Sequence, residues 1–206
     1  KLFTASIQGG NAPPVYMPAQ EVRSITHEAR RRGRFTFAHP TDAKGVMLAI
    51  DNGVDILAHV DPLGGPWSPR FAATLKTRHV ALIPTLMLFE VYPDKRTPID
   101  VAVQQVAAQV RAGGEVLFGT DAGFMEVYDP SREYVLMRRA MSWQRVLATL
   151  TTTPARRFGF GKRLGRVQAG FRADLTLLEA DPESDIAAFA RVRAVFRSGE
   201  TIYSKH

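Results

Sequence analysis

Apolar positions along this 206-residue chain follow two alternating rhythms. After Pro18, which suits a first helical position, Val22, Ile25 and Ala29 recur at helical spacing as far as Gly33, a residue free to take the left-handed backbone that ends many helices. A short extended run at residues 35–38 follows. The next helix is predicted to start from Thr41 or Asp42 as its cap, with Val46, Ala49 and Ile50 on one face and Gly53 as its stop, and it leads to a second strand at residues 54–58. Ser68-Pro69 opens a third helix with Phe71, Ala72 and Leu75 inward. The continuous apolar run at residues 80–83 then fits a strand covered on both faces. Thr97-Pro98 repeats the opening, with Val103, Val106, Ala107 and Val110 inward, Gly113 or Gly114 at the end and a strand at residues 116–118 beyond it.

With residues 1–4 included, about five strands alternate with helices as far as Gly119, so the fold class is α/β with a parallel sheet and right-handed crossovers. A barrel and a doubly wound sheet both satisfy that pattern. Beyond Gly119 the rhythm changes: helices are predicted at residues 132–140 and 142–150, another from Pro154-Ala155, and short strands near residues 173–178, 194–197 and 201–203.

Composition narrows the picture. At 45% hydrophobic and 23% charged residues, a chain of this length buries about 70% of its unfolded surface, which excludes general disorder. No apolar run reaches the ~18 residues of a membrane-spanning helix. The absence of cysteine removes disulfides, thiolate zinc sites and a cysteine nucleophile, so any metal must be held by His, Asp, Glu or a modified Lys. The balance of 27 Lys+Arg against 20 Asp+Glu gives +7, a field that attracts anions. Its densest run, Arg30-Arg31-Arg32-Gly33-Arg34, stands where a helix should end and complements the helix dipole, so neither nucleic acid nor a membrane is expected as a partner. A small molecule is the expected partner; self-association and the cellular compartment stay open.

Functional groups in a parallel α/β sheet gather just past the C-terminal ends of strands, the rim that helices leave open. His39, His59 and Asp121 each follow a predicted strand in that way. Two imidazoles and a carboxylate suit a divalent ion of the zinc class, although each histidine by itself could simply bond a neighbouring carbonyl. His27, His79 and His206 fall on a charged helix face, at a helix-to-strand junction and at the terminus, and read as structural or solvated. Trp67 and Trp143 read as packing or rim residues. Gly159-Phe160-Gly161-Lys162 lacks both the Ser/Thr and the preceding strand of a phosphate loop, and no Gly-x-Ser-x-Gly elbow is present.

Four segments in order, Phe37-Ala38-His39-Pro40, Gly53-Val54-Asp55-Ile56-Leu57-Ala58-His59, Ile83-Pro84-Thr85-Leu86 and Phe118-Gly119-Thr120-Asp121-Ala122-Gly123, resemble the amidohydrolase superfamily, most of all its imidazolonepropionase-like and prolidase-like branch. Leu164-Gly165-Arg166-Val167 and Gly170-Phe171-Arg172-Ala173-Asp174-Leu175 are similar to the segment returning to that family's small β-sandwich. The resemblance implies a partial TIM-like (β/α)8 barrel, about strands four to eight, over residues 1–158, with residues 159–206 a segment of the composite β-sandwich. It implies divalent metal, zinc first, as one or two ions in the complete protein. His39 and His59 match the ligands of the fifth and sixth strands, Asp121 the aspartate of the eighth, and Lys1 the fourth-strand lysine that becomes a carbamate. The His-x-His pair of the first strand is absent from these 206 residues, so the segment resembles the C-terminal part of such a protein and is expected to be inactive by itself. The implied reaction is hydrolysis of an amide or other C–N bond, in a cyclic or dipeptide-like substrate, by metal-activated hydroxide with Asp121 as proton shuttle; Trp67, Thr85, Met87 and Tyr128 are the candidate substrate contacts. The competing readings are a basic α/β binding module and a barrel that has lost its activity.

Overall fold

The computed structural model describes residues 1–6, 13–40, 42–91 and 98–205. They form two compact units, Lys1–Gly119 and Thr120–His206.

The first unit is built on a parallel sheet. β1 (Leu2–Phe3) is followed by α1 (Ala19–Arg31), β2 (Phe37–His39), α2 (Ala43–Asp51), β3 (Ile56–Ala58), a 3-10 turn at Pro62–Gly64, α3 (Pro69–Thr77), β4 (Ala81–Ile83), α4 (Leu86–Val91) and α5 (Ile99–Arg111). The strands lie side by side in chain order, all parallel, with Leu2 opposite Ala38, Ala38 opposite Leu57 and Leu57 opposite Leu82. Two helices open as their sequences predict, with Asp42 accepting from the Gly45 amide and Ser68 from the Phe71 amide, whereas Pro18 and Pro98 sit one residue earlier than expected, at the cap positions of α1 and α5 and not at their first helical residues. Thr41 and Thr97 lie outside the described residues. Gly33, Gly53 and Gly113 take positive φ at helix ends, as glycine can without strain. Arg31 and Arg32 at the end of α1 both pair with Glu28 on the exposed surface.

The apolar character of β3 and β4 matches their burial, since Ile56 and Leu57 on an inner strand and Ala81 and Leu82 on the last strand are all fully buried. The strand expected at residues 116–118 is a correction. Val116 makes only an isolated parallel bridge to Leu82, held by the Leu82 amide on the Glu115 carbonyl and the Leu117 amide on the Leu82 carbonyl. Beyond it Gly119 passes so close to Ile83 that a side chain there would collide, and the ladder stops.

Helix α5 carries polar residues on its buried face, and each meets backbone. Gln109 donates to the carbonyls of Val80 and Glu115, Gln104 exchanges two hydrogen bonds with the backbone of Trp67, and Gln105 clamps the turn after β3. Buried amides of this kind substitute for the backbone partners that loops lack.

The second unit holds α6 (Ala122–Met125), α7 (Ser131–Ala140), α8 (Trp143–Leu150), α9 (Thr152–Arg157), a 3-10 turn at Ile186–Ala190, and an antiparallel sheet of β5 (Leu175–Leu178), β6 (Val192–Arg197) and β7 (Glu200–Ser204). Pro154 falls inside the first turn of α9, where its missing N–H costs nothing, so that helix starts two residues before the predicted Pro154. Gly159, with φ 82°, ends it. Among the described residues no helix is long and apolar enough to cross a membrane.

Candidate active site

His39 is the last residue of β2 and His59 follows the last residue of β3, so both stand at the same rim of the sheet. Their rings meet edge to face with centroids 4.8 Å apart. Phe3, opposite His39 in the β1–β2 ladder, packs its ring 5.0 Å from the same imidazole. Lys1 shares a strand face with Phe3 and places Nζ 3.4 Å from His59 Nε2, although 58 residues separate the two in sequence. On the other side of the ring, His59 Nδ1 lies 2.6 Å from the hydroxyl of Thr85, which in turn donates to the Pro84 carbonyl at 2.8 Å. Lys1, His39, His59 and Thr85 therefore form one cluster.

Burial first, then the neighbouring His39 and the Lys1 ammonium, push the His59 imidazole down from its usual 6.5 to about 3. A ring so held is neutral throughout the physiological range and keeps a lone pair on one nitrogen. That donor chemistry fits a divalent ion of the zinc class, for which neutral imidazoles are common ligands. Among the described residues no group of three or more His, Asp or Glu gathers at one point; the Lys1 amine is the further donor group beside the two imidazoles.

The other predicted site residues are distributed differently. Met87 is buried on α4, two residues beyond Thr85. Trp67 is buried and stacks edge to face on Phe71, with ring centroids 5.1 Å apart, which is a packing contact. Asp121 and Tyr128 belong to the second unit. Asp121 caps α6 with φ 59°, a left-handed backbone that aspartate tolerates better than most residues, and its carbonyl accepts from the Phe124 amide at 2.9 Å. Tyr128 is exposed. His27 and His79 are exposed as expected, and His206 lies outside the described residues.

Asp61, two residues beyond His59, is an ionisable group that sequence reasoning missed. It is buried, its carboxylate accepts from the Gly64 amide at 3.1 Å, and a side chain at Gly64 would collide with it. Burial, opposed by that amide and reinforced by the charge of Asp42, pushes its carboxyl up to about 7. The hint in sequence is the turn chemistry of Asp61-Pro62-Leu63-Gly64-Gly65, which marks a capped turn directly after a strand-end histidine.

His59 and Asp61 have opposite effects on stability. Between pH 3 and 6.5 the unfolded chain protonates His59 and the folded chain does not, so this group makes stability fall as pH drops through that window. Between pH 3.8 and 7 the folded chain keeps the Asp61 proton that the unfolded chain releases, so this group makes stability fall as pH rises. Where the windows overlap, the two slopes of about 1.4 kcal/mol per pH unit oppose each other. Asp61→Asn, unfolded by urea in EDTA, is expected to gain a positive slope of stability with pH between pH 4 and 6.5 that the parent protein lacks. Parallel pH profiles for the two proteins would show that Asp61 titrates normally.

The amidohydrolase family profile matches residues 6–202. Ochratoxinase of Aspergillus niger is 22% identical over 191 residues, which cover 85% of this chain and 39% of that protein. Among solved structures, a putative prolidase from Bifidobacterium longum superposes with a TM-score of 0.79 at 24% identity, over 97% of this chain and 55% of that one. An Xaa-Pro dipeptidase with bound methionine superposes with a TM-score of 0.78 at 21% identity, over 92% of this chain and 50% of that one. The chain thus spans about half the length of these proteins or less, and shares their α/β fold with its parallel sheet. The profile matches nearly the full length of the sequence, and the chain belongs to the amidohydrolase family.

Proposed function

We propose that this chain carries part of the active site of a metal-dependent hydrolase that cleaves an amide or other C–N bond in a small cyclic or dipeptide-like substrate. The observation that carries the reading is the cluster at the sheet rim, in which two imidazoles and a lysine amine converge around a ring that stays neutral. Proteins named a putative prolidase, an Xaa-Pro dipeptidase and an ochratoxinase among those it resembles support hydrolysis of an amide bond. In this reading residues 1–158 are about strands four to eight of a (β/α)8 barrel, and residues 159–206 are a segment of a small β-sandwich.

His39 and His59 would hold one divalent ion, zinc first, and Lys1, carboxylated on Nζ, would complete its ligands or join it to a second ion. A bound ion of this kind polarises the scissile carbonyl and makes water a better nucleophile. Asp121 takes the proton from the attacking water and delivers it to the leaving nitrogen, so the C–N bond breaks as a C–O bond forms and the amine departs neutral. The role of Asp121 rests on its place in Phe118-Gly119-Thr120-Asp121.

Metal analysis of the purified protein tests the reading before any substrate is known. Zinc, manganese, iron or cobalt should copurify in near-integral amounts with the complete protein, one that also carries a His-x-His pair, and chelation should abolish its hydrolysis of a panel of dipeptides and N-acyl amino acids. His39→Ala and His59→Ala are each expected to lower metal stoichiometry and activity together, because each removes an imidazole ligand. Trace metal only, with no activity gained on adding these ions, would favour a basic binding module or an inactive scaffold instead.

A further inference from the structure

We propose that Thr85 is a positioning residue that fixes the tautomer of His59, with the proton on Nδ1 and the lone pair on Nε2. The inference deepens the hydrolase reading, because it states how this chain prepares one imidazole nitrogen for an electrophile.

Contacts at opposite ends of the ring give the same answer. The Thr85 hydroxyl has one proton, and the Pro84 carbonyl 2.8 Å away can only accept. With its proton given to that carbonyl, Oγ1 can only accept from the ring, so the His59 nitrogen 2.6 Å from it carries the hydrogen. At the far end, the Lys1 ammonium has protons to give and no lone pair, so Nε2 at 3.4 Å must accept. A neutral imidazole has one N–H, and the Nδ1–H tautomer satisfies both contacts together with the Thr85–Pro84 bond, whereas the Nε2–H form loses the Lys1 contact and must take the Thr85 proton away from the Pro84 carbonyl. His59 is 4% exposed and its ring is pressed edge to face on His39, which opposes rotation to an alternative pose.

The backbone supplies an independent reason to assign Thr85 this role. Thr85 has φ 48°, in the left-handed region, where a β-branched side chain is an outlier and glycine or asparagine would be at ease. Strain of this sort persists where the surroundings hold it in place, and it clusters at functional sites. A space-filling role at this buried position is served equally by valine, which has the same shape without a hydroxyl. The hydroxyl is the feature that threonine adds, and it is bonded to the one ring nitrogen that faces away from Lys1. Hydrogen bonds of this kind to the second nitrogen of a ligating histidine raise ligand basicity and set ring orientation.

The test is long-range proton–nitrogen NMR of the 15N-histidine-labelled protein in EDTA, which separates a protonated ring nitrogen from one with a lone pair. His59 is identified by the signal missing in His59→Gln. The parent protein is expected to show Nδ1 protonated and Nε2 bare, and Thr85→Ser to keep that pattern. Thr85→Val is expected to lose it, giving a mixture or the Nε2–H form. A parent spectrum with Nε2 protonated, or a folded Thr85→Val with the pattern unchanged, overturns the proposal. If the valine variant does not fold, the parent tautomer and the serine variant still decide. Zinc titration separates this idea from the hydrolase reading: affinity should fall about 10–100-fold in Thr85→Val and be kept in Thr85→Ser. A parent protein that binds no zinc removes the hydrolase reading, while the spectrum alone still decides the tautomer.

Discussion

Asp121→Asn is expected to lower hydrolytic turnover of the complete protein by about 10²–10⁴-fold, the range over which a positioned acid–base group contributes. The substitution preserves volume and shape but removes both the charge and the ability to take and return a proton. Its effect on folding should be small. The backbone at Asp121 is left-handed, asparagine is as well suited to that conformation as aspartate, and the hydrogen bonds that start α6 come from the Asp121 carbonyl, which the change leaves in place. The measurement is kcat on the best amide of the substrate panel, beside the thermal midpoint of both proteins. A rate near that of the parent would remove Asp121 from the reaction.

Gln105→Leu is expected to be the most damaging single change to the frame around the site. Gln105 is fully buried on α5, and its amide serves three backbone groups of the turn after β3: it accepts from the Asp61 N–H at 2.8 Å, and donates to the Asp61 carbonyl and to the Gly65 carbonyl at 2.7 Å. Leucine fills a similar volume but takes the partner from the Asp61 N–H and the Gly65 carbonyl, while the Asp61 carbonyl keeps only the Gly64 amide, at 3.1 Å. Each unsatisfied buried group costs on the order of 1–3 kcal/mol, so for two such groups a loss of roughly 2–4 kcal/mol is expected after partial relaxation. Urea unfolding should show the midpoint falling, and hydrogen exchange at the Asp61 amide should accelerate well beyond that of the strand centre at Leu57. A drop below 1 kcal/mol would mean that water reaches the turn and replaces the glutamine. Because this turn begins two residues after His59, the same variant is expected to loosen the imidazole cluster.

The physical reasons for these two effects differ in how visible they are along the chain. Asp121 is legible because a carboxylate just past a strand-like run, inside a recognisable motif, needs only local order to be noticed. Gln105 is not. The helical spacing of Val103, Val106 and Val110 identifies an inward face, and a glutamine beside it reads as solvent-facing by composition alone. What buries it is a turn 40 or more residues earlier, whose Asp61 N–H and Gly65 carbonyl it serves. Helix α4 escaped notice for another reason. The apolar run Thr85-Leu86-Met87-Leu88-Phe89 is too short to show a period, and only its place after β4 turns it into a helix.

From the sequence alone came the alternation of helices and strands in the first unit, the caps at Asp42 and Ser68, the glycine stops, and the placing of His39 and His59 at neighbouring strand ends. All of these depend on a residue and those within a turn or two of it. The tertiary structure decided the rest. The 3.4 Å approach of Lys1 to His59 requires the register of β1 on β2, and of β2 on β3, to be right at once. The reduction of residues 116–118 from a strand to one bridge is decided by pairing with β4, where Val116 alone meets Leu82. The neutrality of His59 and the raised carboxyl of Asp61 come from the burial and charges that packing brings to them. A local pattern determines which face of an element is apolar; the partner and the depth of burial are set by chain segments tens of residues away, and those long-range terms give the imidazole cluster its chemistry.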